Sequence, residues 1–265
     1  MTGPAPTVHA EIKAYLRQLY LSTVRECYQD CARVAGQESL SYEQYLLMVI
    51  ERECEVRRVN RISRWLRESH LPLEKSLAQF ERDRLPRAVN MQLASLVEGT
   101  FLSRHENVLA FGNPGSGKTH LLCAIAQELV YQGHRVLFAS SSMLVQELLV
   151  AKKELKLSRM IKDLARYELL LLDDIGYVQQ SRDEMEVLFT LLAERYERGS
   201  VMITSNLPFS QWERVFKDPV TTAAAIDRLI HHSIILELNI ESYRFEHSRK
   251  LGSSDKKEGK NTVEQ

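Results

Sequence analysis

Apolar positions divide the chain into two regimes. In the first, Ile12, Leu16, Leu19, Val24 and Tyr28 form an imperfect stripe at helical spacing, which predicts a helix over residues 9–35 with Gly36 as its stop. Ser41, with Gln44 three residues on, has the form of a capping box, and Tyr45, Leu46, Val49 and Ile50 carry a second helix towards Ser69. Pro72 and Pro86 then rule out one continuous helix through residues 71–90, after which residues 91–98 resume one. In the second regime, short apolar runs at 108–111, 134–139, 169–172, 200–206 and 233–238 alternate with amphipathic stretches. That alternation predicts an α/β domain, a parallel sheet between helices, preceded by a small all-helical one. The expected divisions are a helical domain over 1–75, the α/β domain over 76–250 and a disordered tail over 251–265, where Lys, Gly and Ser dominate.

The run at 108–111 leads directly into GNPGSGKT, which fits the phosphate-loop pattern G-x-x-x-x-G-K-[ST], and Leu121, Leu122, Ile125, Ala126 and Leu129 recur at helical spacing behind it. A strand, a loop and a helix N-terminus in that order make an anion site. Gly112, Gly115 and Gly117 let the backbone N–H groups turn inward, and the helix end adds its free donors. The cradle consists of Gly112, Asn113, Pro114, Gly115, Ser116, Gly117, Lys118 and Thr119, with His120 beside it. Lys118 would place a charge on the outer phosphates and Thr119 a hydroxyl on Mg²⁺. Four leucines, 169–172, then run into Asp173 and Asp174. A carboxylate at the end of a buried strand can support the Mg²⁺ shell, and a second one can polarise a water. Asn206 ends the strand at 200–206, where it can serve a phosphate or simply make an Asx turn before Pro208.

Bulk composition narrows little. Of the 265 residues 44% are hydrophobic and 26% charged, ordinary for a globular chain, and the formal net charge is zero, so nucleic-acid binding has to rest on local patches. Arg57, Arg61 and Arg64 share one face of the second helix; they are either a phosphate-contacting face or a solvated one offset by nearby glutamates. Cys27 and Cys31 lie four apart without a second ligand pair, so reduced thiols are expected rather than a metal site. With no signal peptide and no apolar run of membrane length, a soluble cytoplasmic protein is expected.

GNPGSGKTHLL, LLLLDDIGY, MITSNLPFSQW and IDRLIHHSIILEL together resemble the IstB-like transposition helper ATPases of bacterial insertion sequences, relatives of the DnaC-type helicase loaders in the AAA+ superfamily. The resemblance is close over residues 70–248 and less distinctive in the helical N-terminus. It implies that Lys118 and Thr119 are the Walker A pair and that Asp173 is the Mg²⁺-associated acid. Asp174 would stand in for the usual catalytic glutamate, Asn206 would be the sensor-1 residue, and Arg228 the arginine finger reaching a neighbouring subunit's ATP. It also implies that the helix over 142–156 lines the inner face of an assembly, which makes Lys152 and Lys153 candidate DNA contacts alongside the arginine face. No sensor-2 arginine is assigned; Arg244 and Arg249 are the only late candidates.

The function so implied is an ATP-dependent DNA-binding regulator that oligomerises on duplex DNA and assists a transposase, with ATP and Mg²⁺ as cofactors, ATP sites between subunits, and no membrane partner. A DnaC-like loader of a replicative helicase is the alternative, since the same ATPase parts serve both. A small-molecule phosphotransferase is a third reading, and it leaves Arg228 and the arginine-rich helix without a purpose.

Overall fold

The computed structural model describes residues 7–176, 181–208, 211–212 and 226–243. The predicted tail, Arg244, Arg249 and most of the helix expected around Trp212 lie outside the described residues. The chain divides into two compact units, Met1–Arg64 and Trp65–Gln265.

The first unit is helical, as the apolar spacing predicts, but residues 9–35 form two helices rather than one: α1 (Val8–Gln18) and α2 (Ser22–Gln37). The break is at Tyr20, whose backbone is left-handed at φ 57°, and Leu21 then donates back to the Leu16 carbonyl to close α1. Two shorter helices let both ends of the imperfect stripe reach one core, where Ile12, Leu16 and Leu21 pack around buried Val24, Tyr28, Cys31 and Val49. Gly36 does not stop α2, which runs one residue past it. The capping box is present: Ser41 Oγ accepts from the Gln44 N–H at 3.2 Å, and Gln44 Oε1 accepts from the Ser41 N–H at 2.8 Å, opening α3 (Tyr42–Glu68). Trp65 and Leu66, near the end of α3, pack against the core of the second unit. The division therefore falls at Arg64/Trp65, ahead of the proline break that placed it at residue 75.

In the second unit, α4 (Arg87–Glu98) and the short α5 (Thr100–Ser103) precede a sheet of five parallel strands: β1 (Asn107–Gly112), β2 (Val136–Ser140), β3 (Leu169–Ile175), β4 (Ser200–Ser205) and β5 (Ser233–Leu238). Their spatial order is β2-β3-β4-β1-β5. Alternate residues of each strand go to opposite faces, and in β1, β3 and β4 both faces are buried, which is why those strands read as unbroken apolar runs, whereas the edge strand β5 exposes Ile235 and Glu237. Val108, Leu169, Leu171 and Met202 join a core with α4 and α6 (Lys118–Gln132). Leu109, Leu170, Leu172 and Ile203 join a second core with α7 (Ser141–Lys153), α8 (Leu157–Leu164) and α9 (Arg182–Arg195).

One cation is spent on holding this second unit together. Arg195 is 4% exposed and donates to the carbonyls of Leu164, Tyr167, Glu168 and Ser200 at 2.9–3.3 Å. Burial pulls its guanidinium down to about 10, so it remains charged at neutral pH. The group ties the end of α8 to the entries of β3 and β4. We expect Arg195→Met, similar in volume but without donors, to lower the unfolding free energy by about 3 kcal/mol. Urea denaturation followed by circular dichroism would measure this, and an unchanged midpoint would deny Arg195 its role.

Candidate nucleotide site

Topology brings the site together. Because β4 lies between β1 and β3, the carboxyl ends of three strands converge: the phosphate loop after β1, Asn206 after β4, and Asp173–Asp174 at the end of β3. The loop demands glycine at two points in particular. Gly112, at φ 150°, passes so close to the Leu238 backbone carbonyl that a Cβ would collide with it. Gly117, at φ 92°, takes the left-handed conformation that starts α6.

Lys118 is only 6% exposed. Its ammonium donates to the carbonyls of Gly112 at 2.8 Å and Asn113 at 2.9 Å, and to Asn206 Oδ1 at 2.7 Å. An ammonium only donates, so the amide oxygen of Asn206 faces Lys118 and its NH₂ is left to donate to Asp174 Oδ1, at 3.0 Å. Thr119 donates to Asp173 Oδ1 at 2.7 Å. The β3–β4 pairing shifts register between Leu172 and Ile175, and Asp174 there is left-handed at φ 65°, a conformation that Asp tolerates better than most residues. Thr204 secures this irregularity: its hydroxyl donates to Asp173 Oδ1 at 2.6 Å and accepts the Asp174 N–H at 2.8 Å. Burial, and then the Asp173 charge, push the Asp174 carboxyl above its ordinary value, against the pull of Lys118.

A cavity of about 590 Å³ opens over these groups, within the size range of small-molecule sites. Its far wall comes from segments without a recognisable motif. Lys75, Gln79, Phe80 and Arg84 line it from the stretch before α4, and Ile240 and Tyr243 from beyond β5. Phe80 packs edge-on against His120 with ring centroids 5.1 Å apart, His120 Nε2 lies 3.1 Å from the Ser76 carbonyl, and Arg84 sits 5.2 Å over the Tyr243 ring. Thr204 was within reach of sequence reasoning, since in TSN it lies two residues before Asn206 and so on the same side of β4. Phe80 was not: it is a lone aromatic in a polar, proline-bounded stretch.

The other nominated residues lie elsewhere. Arg228, in the helical residues 226–231, is exposed and borders a cavity of about 120 Å³ with His105, Tyr196, Glu197 and His232. Those residues precede β1, β4 and β5, so Arg228 is at the edge of the sheet opposite its own phosphate loop. In the first unit, Arg57 donates to Glu53 Oε1 at 2.7 Å and to the Tyr20 carbonyl, while Glu53, 4% exposed, caps α2 by accepting the Thr23 and Val24 N–H groups. Arg57 thus has a structural task; Arg61 and Arg64 are exposed and have interactions of their own. Lys152 is paired with Glu186 at 2.9 Å, bracing α7 on α9, whereas Lys153 is exposed. Cys27 and Cys31 are free thiols, and among the described residues no cluster of metal-ligating side chains occurs. No described helix is long and apolar enough to cross a membrane.

A parallel sheet in this order, with a phosphate loop after β1 and acids at the end of β3, is the AAA+ phosphate-loop architecture. The chain belongs to the family described as IstB-like ATP binding protein, whose model matches residues 14–251. It is 43% identical over 236 residues to a Sinorhizobium fredii protein named for an insertion sequence and for ATP binding (y4iQ/y4nD/y4sD), covering 89% of this chain and 79% of that one. It is 36% identical to the Pseudomonas aeruginosa ATP-binding protein named for insertion sequence IS21, covering 91% of both chains. Among solved structures, DnaI superposes with a TM-score of 0.53 at 22% identity, covering 63% of this chain and 94% of that one, a likeness of fold. The protein is thus an ATP-binding member of the family.

The cavity wall generates a test. If the phosphates are held at Gly112–Thr119, Phe80 and His120 are part of the wall open to the base and ribose. Phe80→Ala is expected to weaken ATP binding about tenfold through lost ring contact. Isothermal titration would measure it, and Lys118→Ala should abolish binding in the same assay.

Proposed function

We propose that the protein is an ATPase that oligomerises on duplex DNA and assists a transposase in target selection. The observation that carries the hydrolytic part is the hydrogen-bonded circuit Lys118–Asn206–Asp174. A phosphate oxygen that reaches Lys118 competes with Asn206 Oδ1 for an N–H. Released from Lys118, the Asn206 amide is free to reorient, and Asp174 feels the change through the same side chain. The circuit therefore links occupancy of the outer phosphate position to the carboxylate placed to polarise the attacking water. Thr119 and Asp173 offer the hard oxygen donors that Mg²⁺ prefers, and two protein donors suit an ion that keeps most of its water. When bound, Mg²⁺ would neutralise charge on the phosphate oxygens.

Arg228 supports the oligomeric part. It lies too far across the sheet to serve its own loop, and an exposed arginine there suits the ATP of an adjoining copy. The names of the relatives support the link to insertion sequences and transposition. Nothing in the ATPase unit separates this reading from a helicase loader. Duplex binding that strengthens with ATP favours the transposition helper; ATP-dependent preference for single strands would replace it.

Three outcomes are expected. Asp174→Asn should hold ATP with affinity within a few-fold of wild type while turnover falls roughly 100-fold. The ordinary aspartate value is 3.8, and because the Asp174 carboxyl of the nucleotide-free protein lies above it, the acid limb of kcat/KM should fall at a higher pH than a free aspartate would give. Arg228→Ala and Lys118→Ala should each be inactive alone yet partly active when mixed, because a mixed pair restores one complete site. A mixture as inactive as its parts would end the trans assignment of Arg228.

A further inference from the structure

The most exposed large apolar side chain among the described residues is Leu155, at 95%. It sits at the turn between α7 and α8 with a left-handed backbone, φ 59°. The turn is a Schellman closure: the Lys156 N–H donates to the Ala151 carbonyl at 2.7 Å and the Leu155 N–H to the Lys152 carbonyl at 3.1 Å. The end of α6 makes the same pair of bonds, from His134 to Leu129 and from Gly133 to Val130, with glycine in the left-handed place at φ 100°. Among the described residues the other non-glycine left-handed positions hold Tyr20, Ser39, His70, His105, Asp174 and Glu197; Leu155 is the one aliphatic. It thus combines backbone strain with an apolar side chain in water, and neither helps its own chain fold.

The charge around it says what Leu155 could meet. Residues 152–166 hold six cations, Lys152, Lys153, Lys156, Arg159, Lys162 and Arg166, against two acids, Glu154 and Asp163, in a chain whose net charge is zero. Glu154 is matched by Lys156 at 2.7 Å and Asp163 by Arg166 at 3.2 Å. Lys153, Arg159 and Lys162 have no acidic partner among the described residues. An apolar tip flanked by unmatched cations suits a polyanion with an apolar interior, which describes stacked base pairs behind a phosphate backbone.

We propose that Leu155 is a wedge that enters the base stack of a duplex held by the cations of the α7–α8 corner and unstacks one step. Its hydrogen-bonded turn fixes the backbone from which the side chain projects. The proposal rests on the duplex-binding reading above and adds a residue and an action to it.

The test uses the full chain with ATP, Mg²⁺ and a duplex carrying 2-aminopurine in place of adenine along one strand, so that unstacking raises fluorescence. At saturating protein, wild type and Leu155→Met should raise the signal. Leu155→Gly should lose most of that rise, roughly fivefold, with duplex affinity within about twofold, since the cations that supply affinity are untouched. Its thermal midpoint should be equal or higher, because glycine relieves the strained position. An undiminished rise with Leu155→Gly would overturn the wedge while leaving duplex binding intact; if that variant instead fails to capture the transposase, Leu155 is a protein contact. Failure of the wild type to bind duplex at all would remove the DNA reading itself, and the wedge with it.

Discussion

The buried ammonium of Lys118 is the constraint on which the second unit turns. A charge this enclosed is tolerable only if its donors are satisfied, and its acceptors come from two places: the phosphate-loop backbone and the side chain of Asn206. The second acceptor exists only because β4 is inserted between β1 and β3. Were β3 paired directly with β1, the acids would lie beside the loop without an amide between them. The sheet order is therefore what makes a charged residue on one strand's loop answer to a carboxylate two strands away.

The acid side needs an irregularity to complete this arrangement. A regular strand would send the Asp173 and Asp174 side chains to opposite faces of the sheet. The register shift and the left-handed Asp174 interrupt that alternation, and Thr204 bonds to both residues to hold the interruption in place. Thr119 and Thr204 then share one oxygen of Asp173, so the two acids have different tasks. Both line the cavity, but Asp173 is tied into the frame, whereas Asp174 is held by the Asn206 amide and has a raised proton affinity.

What could be read from the sequence follows from how local each feature is. The central strands of the second unit were legible because double burial leaves unbroken apolar runs, and the phosphate loop because its residues are contiguous. The capping box at Ser41 was equally local. The split of residues 9–35 was not, since it depends on Tyr20 accepting a left-handed conformation so that two helices share a core with α3. Nor was the task of Arg57, which was grouped with Arg61 and Arg64 by helical phase. Its commitment to Glu53 arises from a carboxylate that caps a different helix. Phe80 illustrates the limit: its place beside His120 depends on the path of an irregular segment along α6, where Gln127 Nε2 holds the carbonyls of Pro72 and Lys75 at 3.0 and 3.1 Å.

The two edges of the sheet set a rule for any assembly built through the ATP site. The phosphate loop lies at the carboxyl edge of the strands, while Arg228 lies at the amino edge beside Tyr196 and His232. A contact that joins one copy's Arg228 to another's loop therefore uses two different surfaces of the fold. Where those surfaces do not meet twice across one two-fold axis, the contact is heterologous, head to tail, and propagates as a ring if the rotation between copies closes and as a helix if it does not. A site completed in this way ties hydrolysis to neighbours along the assembly, and one surface is always left over at each end of an open one. Growth and loss of copies at those ends would then depend on the nucleotide in the last complete site.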